Sequence, residues 1–596
     1  MQYISSKAEM WPMKSHDNFR INIFFVLVLI VSSLILYRLF ILSYIRHSVY
    51  SRTATAQKEN ITNVLARGNI YLKNPTSNNL FLAATNKKFP LAYVIPAKVD
   101  WKNDVKKISQ VSDILKTDKD LILKTIQSEQ SSSKVLARRL DTNQVGEVKN
   151  LNLKGLGISY ETDRFYPGQK LASNVIGFLG YDVNGRSGQY GVESYYDNEL
   201  FGRLAAERPA VGIVFRWLAG TGLCLPKICS TSEAGRSAQE RPFNRPSDII
   251  LTIDKNIQAY AEDKLESVLK KWDAQGGSII IQDPNTGKIL AMADKPTFDP
   301  NNYGDYQPGL FLNKNVQEVF EPGSSYKPIT MSMGLDLGKI TPQSTFNDVG
   351  FVQAAEYMIR NFSNKVFGLQ TMSQVLEKSI NTGAMFVENI VGDDNFLNYA
   401  INTGFGQRTG IDLPGEVNGD IANLYSGRKI NYLTASFGQG IAVTPLQLIN
   451  AYSAIANGGK LMRPYVVEKI IKEGGEEVIT KPEIISIPFS EKTSNKLKSM
   501  LVGVVDNGFD KAKIKGYDIA GKTGTAQIPD GKGGYDENEF IHNFLGFAPA
   551  YDPKFVILIK MNRPKGIQFA ADSLSPTFRE VAQFLLNYYK IPPTRK

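Results

Sequence analysis

Histidine is nearly missing from this chain: His16, His47 and His542 are the three in 596 residues. The scarcity matters, because histidine is the usual base for an activated serine. Cysteine is scarcer still, with Cys224 and Cys229 in "GLCLPKIC". Two thiols without a CxxC or a Cys/His cluster exclude a structural zinc site on ligand count. In an oxidising compartment the pair would close a short disulfide loop; the alternative is two free thiols. No repeat recurs at a fixed period, which argues against solenoids and propellers, and there is no low-complexity tract. A basic arm is also missing. The net charge of +11 is spread along the chain, so it reads as solvated surface, not as a nucleic-acid site.

What is present begins with an apolar run. Residues 21–37, "INIFFVLVLIVSSLILY", carry no charge, and Arg38 and "LFILSYI" follow. A span over 21–44 exceeds the roughly 20 residues that cross a bilayer, and Arg38 can snorkel to the interface. The run is longer than the apolar region of a cleaved signal peptide. An A-x-A-like site at 54–57, "ATAQ", lies far beyond its end. We therefore read residues 1–20 as a short head and 21–44 as an uncleaved single-pass anchor. Charge leaves its orientation open, since Lys7, Lys14 and Arg20 precede it and Arg46, Arg52 and Lys58 follow it.

The length corresponds to about three or four domain equivalents. Residues 45–246 mix alternating runs such as "LAYVIPAKVDW" with polar helical stretches and predict an α+β domain with a long loop at 203–246. From 247 the texture changes. "DIILTID" predicts a strand, "KNIQAYAEDKLESVLKKWDA" an amphipathic helix, and "GGSIIIQDPNTGKILAMAD" a hairpin about Pro284–Asn285–Thr286–Gly287. A helix-rich middle over about 325–505 precedes strands in "YDIAGKTGTAQI", "HNFLGFAPA" and "FVILIKMNR", then a helix in "SPTFREVAQFLLNYY". Strands at both ends of a domain with helices between them fit an α/β sandwich over 247–596.

Three short motifs carry chemistry. In "EPGSSYKP", Ser324 and Lys327 are three apart, hence on one helical face. A helix N-terminus there would favour an anion, and burial near other cations would lower the lysine pKa until it accepts a proton. Ser379 and Asn381 in "LEKSINTGA" place a hydroxyl and an amide two residues apart, able to relay a proton and hold a substrate amide. Lys522, Thr523, Gly524 and Thr525 in "AGKTGTAQ" set a cation and a hydroxyl on a strand edge that can receive an extended peptide. Singly, each is weak. Ser131-x-x-Lys134 reads as a solvated helix start, and Ser77–Asn78–Asn79 as a turn. In order and together, S-x-x-K, S-x-N and K-T-G form a signature of penicillin-binding proteins and β-lactamases.

The chain resembles a class B penicillin-binding protein over nearly its whole length. "TGFGQRTGIDLPGE" (403–416) and "ASFGQGIAVTPLQLINAYSAIANGG" (435–459) are similar to the family's transpeptidase domain. "RGNI" (67–70), "RFYP" (164–167) and "GQYGVESYYDNELFG" (188–202) are similar to its pedestal, the dimerisation-type domain. The resemblance implies an α/β transpeptidase domain with a central antiparallel sheet, a pedestal over 45–246 and one transmembrane helix. It also implies a cytoplasmic head, with the catalytic domain outside the cell membrane.

The implied activity is D,D-transpeptidation without cofactor or metal. Ser324 would attack a D-Ala–D-Ala stem peptide, release the terminal D-alanine, and pass the acyl group to an amine of a neighbouring stem. Lys327 would be the base, Ser379 the proton shuttle, and Asn381 a holder of substrate amide and lysine. Lys522 and Thr523 would bind the terminal carboxylate beside Gly524, and the N–H groups of Ser324 and Thr525 would form the oxyanion hole. β-Lactams would acylate Ser324. A membrane-embedded glycan polymerase and division proteins are the implied partners, and nucleic acid is not. "KSINTGA" and "FAPAYDPKFVILIKMNRPKG" look more like septal than elongation enzymes.

The chain also departs from the family pattern. "RGNIYLKN" lacks the Asp-Arg-Asn-Gly that commonly follows. Ile380 replaces a small or polar residue, and 203–246 matches the family poorly. A bifunctional enzyme with a glycosyltransferase segment is not expected. A β-lactamase or carboxypeptidase would need a motif that activates water for deacylation, and an inactive scaffold would not need three intact motifs. His542, in "FIHNFLGFAP", is expected to pack within a strand.

Overall fold

The computed structural model describes residues 67–201 and 246–595, apart from 76–78, 128–132, 183–184, 355, 509 and 532–533, with a few positions between 26 and 37. Most of the expected anchor 21–44, and both Cys224 and Cys229, fall outside these residues. Among the described residues no helix is long and apolar enough to cross a membrane.

The described residues form two compact units, one including 88–163 and the other 67–87 with 164–596. In the smaller unit, helices Val105–Leu115, Lys119–Ile126 and Thr142–Asn150 accompany the strand Lys134–Ala137. Ile108, Val111, Ile122 and Val148 supply its core beside Ala92 and Val94. Lys134 therefore opens a strand, correcting the helix start expected at Ser131-x-x-Lys134. Pairing of Val135 with Tyr93 and of Ala137 with Ala92 outweighs the local helical preference of this short run.

The larger unit holds a five-stranded antiparallel sheet that positions the candidate site. Its strands are β1 (Gly276–Gln282), β2 (Ile289–Lys295), β3 (Ala520–Pro529), β4 (Tyr535–Ala548) and β5 (Phe555–Asn562), in the order β3-β4-β5-β1-β2. Both faces are covered, so the strands are apolar on both sides. Ile279, Ile281, Phe544, Ile557 and Ile559 join one core with residues of helices α1 (Lys255–Lys271) and α6 (Ser575–Tyr588). Ile280, Leu545, Val556 and Leu558 join the other. That second core contains helices α2 (Lys327–Asp336), α3 (Asn381–Val391), α4 (Pro445–Ala456) and α5 (Glu491–Gly503). The result is a helix–sheet–helix sandwich, as the alternation of large apolar residues dictates.

A second sheet in the larger unit runs Glu477–Ile479, Val467–Ile471, Asp248–Asp254, Ile70–Asn74, then the first part of Asn79–Val94. Beside it the three pedestal-like segments converge on one buried carboxylate. Glu193 accepts from Arg67 Nε at 2.6 Å, Arg164 Nε at 2.7 Å and Tyr166 Oη at 3.2 Å. The two arginines hold the Glu193 carboxyl below its usual range against the opposing cost of burial. Removing one partner of such a group leaves an uncompensated buried charge, which typically costs about 3–5 kcal/mol.

Candidate active site

Ser324 sits in a 3-10 turn, Gly323–Tyr326, that feeds directly into α2. The expected helix start is present, with a tighter turn at its head. Gly323 has φ 58°, and a Cβ there would come within 3.0 Å of the Thr525 carbonyl oxygen. Glycine satisfies both the left-handed backbone and the close approach. The turn is fixed from several sides. Gly323 N donates to Gly438 O at 3.0 Å, Tyr452 Oη to Ser325 O at 2.7 Å, and Ser325 Oγ to Pro322 O at 2.8 Å. Asn543 Nδ2 also donates to Pro322 O, at 3.0 Å.

On β3, Gly524 lies opposite Asn543 of β4. A Cβ at Gly524 would fall 2.4 Å from Asn543 Oδ1 and 2.5 Å from Pro322 O. The third residue of K-T-G is therefore small so that the strand can lie against the turn that carries Ser324. Asn543, Tyr452 and Gly438 were not found from sequence, because each acts through a contact with residues far away in the chain.

The middle motif joins two helices. Ser379 and Ile380 link Met372–Glu377 to α3, and Ser379 has φ 56°. A serine in the left-handed region is uncommon and strained. Here it lets both its carbonyl and its hydroxyl face Lys327. Lys327 Nζ is 2.5 Å from Ser379 O, 2.7 Å from Asn381 Oδ1 and 3.2 Å from Ser379 Oγ. Lys522 Nζ reaches the same hydroxyl at 3.0 Å and Thr523 O at 3.1 Å. The structure thus brings Lys327, Ser379, Asn381, Lys522 and Thr523 into one cluster. Ser324 and Thr525 line the same cavity, of about 730 Å³. Ile380 is buried, 1% exposed, so its side chain serves the core where the family prefers a small or polar one.

Electrostatics separate the two lysines. Burial, and then the neighbouring Lys522, push the Lys327 amine well below its ordinary value. Burial alone brings Lys522 down to about 7. Desolvation is the largest influence on both amines. A neutral Lys327 has two N–H donors and one lone pair. Ser379 O and Asn381 Oδ1 take the donors, which leaves one lone pair to accept a proton close to the Ser379 hydroxyl. A protonated Lys522 donates to that hydroxyl from the other side. Both amines are lowered, and Lys327 carries the additional push from its neighbour Lys522.

His542 takes no part. It is fully buried on β4, with Nδ1 2.8 Å from Ser573 Oγ and Nε2 3.1 Å from Gln568 O. Burial lowers its pKa to about 4, and no carboxylate orients the ring. It is the packed strand histidine that the sequence suggested.

A serine-bearing turn against a sheet edge, with two buried lysines converging on a second serine, is the residue set expected of a serine-type acyl transferase. Residues 277–583 match the penicillin binding protein transpeptidase domain, and residues 63–211 the penicillin-binding protein dimerisation domain. The chain is 32% identical to stage V sporulation protein D of Bacillus subtilis, over 86% of this chain and 77% of that protein. It is 28% identical to the peptidoglycan D,D-transpeptidase FtsI of Escherichia coli, over 85% and 82%. Among solved structures, penicillin-binding protein 3 of Mycobacterium tuberculosis without ligand is similar at TM-score 0.61 and 28% identity, over 73% of this chain and 92% of that one. A complex of that protein with aztreonam matches at TM-score 0.62. The chain belongs to the class B penicillin-binding proteins, the peptidoglycan D,D-transpeptidases.

Proposed function

We propose that the enzyme cross-links peptidoglycan at the division septum from a single membrane anchor, using Ser324 as nucleophile. The observation that carries the chemistry is the convergence of Lys327 and Lys522 on the Ser379 hydroxyl. Neutral Lys327 takes the Ser324 proton as Oγ attacks the penultimate D-alanine carbonyl of a stem peptide. Ser379 passes that proton to the leaving D-alanine nitrogen, and Asn381 holds Lys327 and the substrate amide. Lys522 and Thr523 bind the terminal carboxylate. The N–H groups of Ser324 and Thr525 receive the oxyanion, a contribution of about 3 kcal/mol per donor in comparable serine enzymes. An amine of a second stem then displaces Ser324 from the ester. β-Lactams acylate the same oxygen because they imitate the D-Ala–D-Ala end.

Anchoring at 21–44 is supported by the apolar run, which carries no charge over 21–37. The described residues within it, including Leu29, Ile35 and Leu36, are helical and exposed, as a lipid-facing helix requires. The relatives named FtsI and stage V sporulation protein D, with the "KSINTGA" motif, favour a septal role, with a glycan polymerase and division proteins as partners. The alternative is an elongation enzyme.

A fluorescent penicillin should label the membrane fraction covalently, and Ser324→Ala should abolish the label. A well-folded wild type that stays unlabelled would sink the catalytic reading. Depletion should give filaments; round cells would point to elongation.

A further inference from the structure

The reaction needs two substrates of opposite charge in one cavity, and the walls favour only one of them. Lys327 and Lys522 are buried against Ser379, while Arg360, Lys365 and Lys378 line the cavity. This cationic field attracts the carboxylate of the donor peptide. Once acylation has released D-alanine, that carboxylate is gone. The second substrate is an amine, and an alkylamine is an ammonium in neutral water. It must enter a site of its own sign.

Two carboxylates line the same cavity, Asp572 and Glu377. Asp572 is already paired with Lys511. Glu377 is half-buried and has no ion-pair partner among the described residues. It stands two residues before Ser379, and the surrounding backbone is shaped around it. Helix α5 ends in a π-helical turn, Val504–Gly508, a rare element that recurs at functional sites. This turn brings Asn507 to Glu377, and Asn507 Nδ2 donates to Glu377 Oε1 at 2.9 Å. A Cβ at Gly503 would lie 2.8 Å from Glu377 Oε1, and one at Gly508 would lie 2.5 Å from the Glu377 carbonyl oxygen. Two glycines and an amide donor thus hold an unneutralised carboxylate at the wall of the catalytic cavity.

We propose that Glu377 is the acceptor-binding residue of this transpeptidase: its carboxylate captures the ammonium of the incoming stem peptide beside the Ser324 ester. The assignment rests on the transpeptidase reading above and extends it to the second substrate. It also names a substrate class. The preferred acceptor carries its amine on a carbon without a free carboxylate, because a second anion there would face Glu377. Capture precedes bond making, and deprotonation of the amine stays with the lysine–serine cluster.

The test separates the two half-reactions of the full-length enzyme in detergent. Fluorescent penicillin reports acylation of Ser324. A synthetic stem pentapeptide with an L-lysine side chain is the acceptor for the acyl group of a thioester donor. In Glu377→Gln, the acceptor KM should rise about tenfold, the loss expected for one charge-assisted hydrogen bond, while the penicillin labelling rate changes less than about twofold. Added salt should raise the acceptor KM of the wild type and have little effect on the variant, since screening acts on the charge alone. Gly503→Ala, which displaces the carboxylate without removing it, should shift the acceptor KM the same way. An unchanged acceptor KM in Glu377→Gln that still labels with penicillin overturns the assignment. A wild type that does not label overturns the transpeptidase reading itself. Equal loss of labelling and aminolysis in Glu377→Gln would make Glu377 a structural residue, and that too overturns it.

Discussion

Lys327→Met is expected to slow acylation by a fluorescent penicillin about 10³-fold while the protein stays folded, within the range that general-base catalysis supplies. Lys327 is 1% exposed and lies in a helix whose residues Lys327–Leu335 are all buried. Methionine matches the stem of the side chain and fills the same channel, so no cavity is created. What disappears is the amine that bridges Ser379 and Asn381. The carbonyl oxygens it leaves belong to residues that line the cavity, where water can replace its N–H groups at about 1 kcal/mol or less. Stopped labelling time courses give the rate, and thermal unfolding by circular dichroism gives the stability. A labelling rate close to wild type would remove Lys327 from the role of base. Because Ser324 is untouched, slow labelling should persist, whereas Ser324→Ala shows none.

The second large effect is in the pH profile. Lys522 must be protonated to bind a carboxylate, and its pKa in the free enzyme is lowered to about 7 by burial. Lys327 must be neutral to accept a proton, and its pKa is pushed well below 10.5 by burial and by Lys522. The signs are therefore opposite. Raising pH through the Lys327 pKa switches the base on; raising it through about 7 switches the anchor cation off. The profile of kcat/KM for a carboxylate-bearing donor is expected to be bell-shaped, with its alkaline limb near pH 7. A bound carboxylate favours the charged form of Lys522, so the alkaline limb of kcat should move to higher pH. The limbs belong to the coupled pair. A kcat/KM that climbs without a break to pH 9 would show that the Lys522 charge is not needed for binding. Loss of the alkaline limb in Lys522→Arg, which stays charged, would confirm its origin.

Much of the fold was legible from local pattern. Ile279–Ile280–Ile281 and Val556–Ile557–Leu558–Ile559 announce strands buried on both faces. The turn at 284–287 marks its hairpin through backbone chemistry that needs no distant partner. The strand at Lys134–Ala137 was not legible, because four residues gain their state from pairing with 92–94. The chemical types at the site could be read too: Ser324, Lys327, Ser379, Asn381 and Lys522–Thr525 stand at motif spacing. Their supports could not. Asn543 matters only because Gly524 lies opposite it, Tyr452 only because its hydroxyl reaches Ser325, and Glu377 only because Gly503 and Asn507 leave and fill the space around it.

The sequence by itself determined which candidate reacting groups stand at motif spacing, their order, and that histidine is scarce. Only the tertiary structure decided what those groups are at neutral pH. Lys327 and Lys522 are chemically identical side chains, and no local rule tells base from cation. The difference comes from desolvation by segments far apart in the chain and from the field of Lys522 at Lys327, quantities that exist only once the chain has packed.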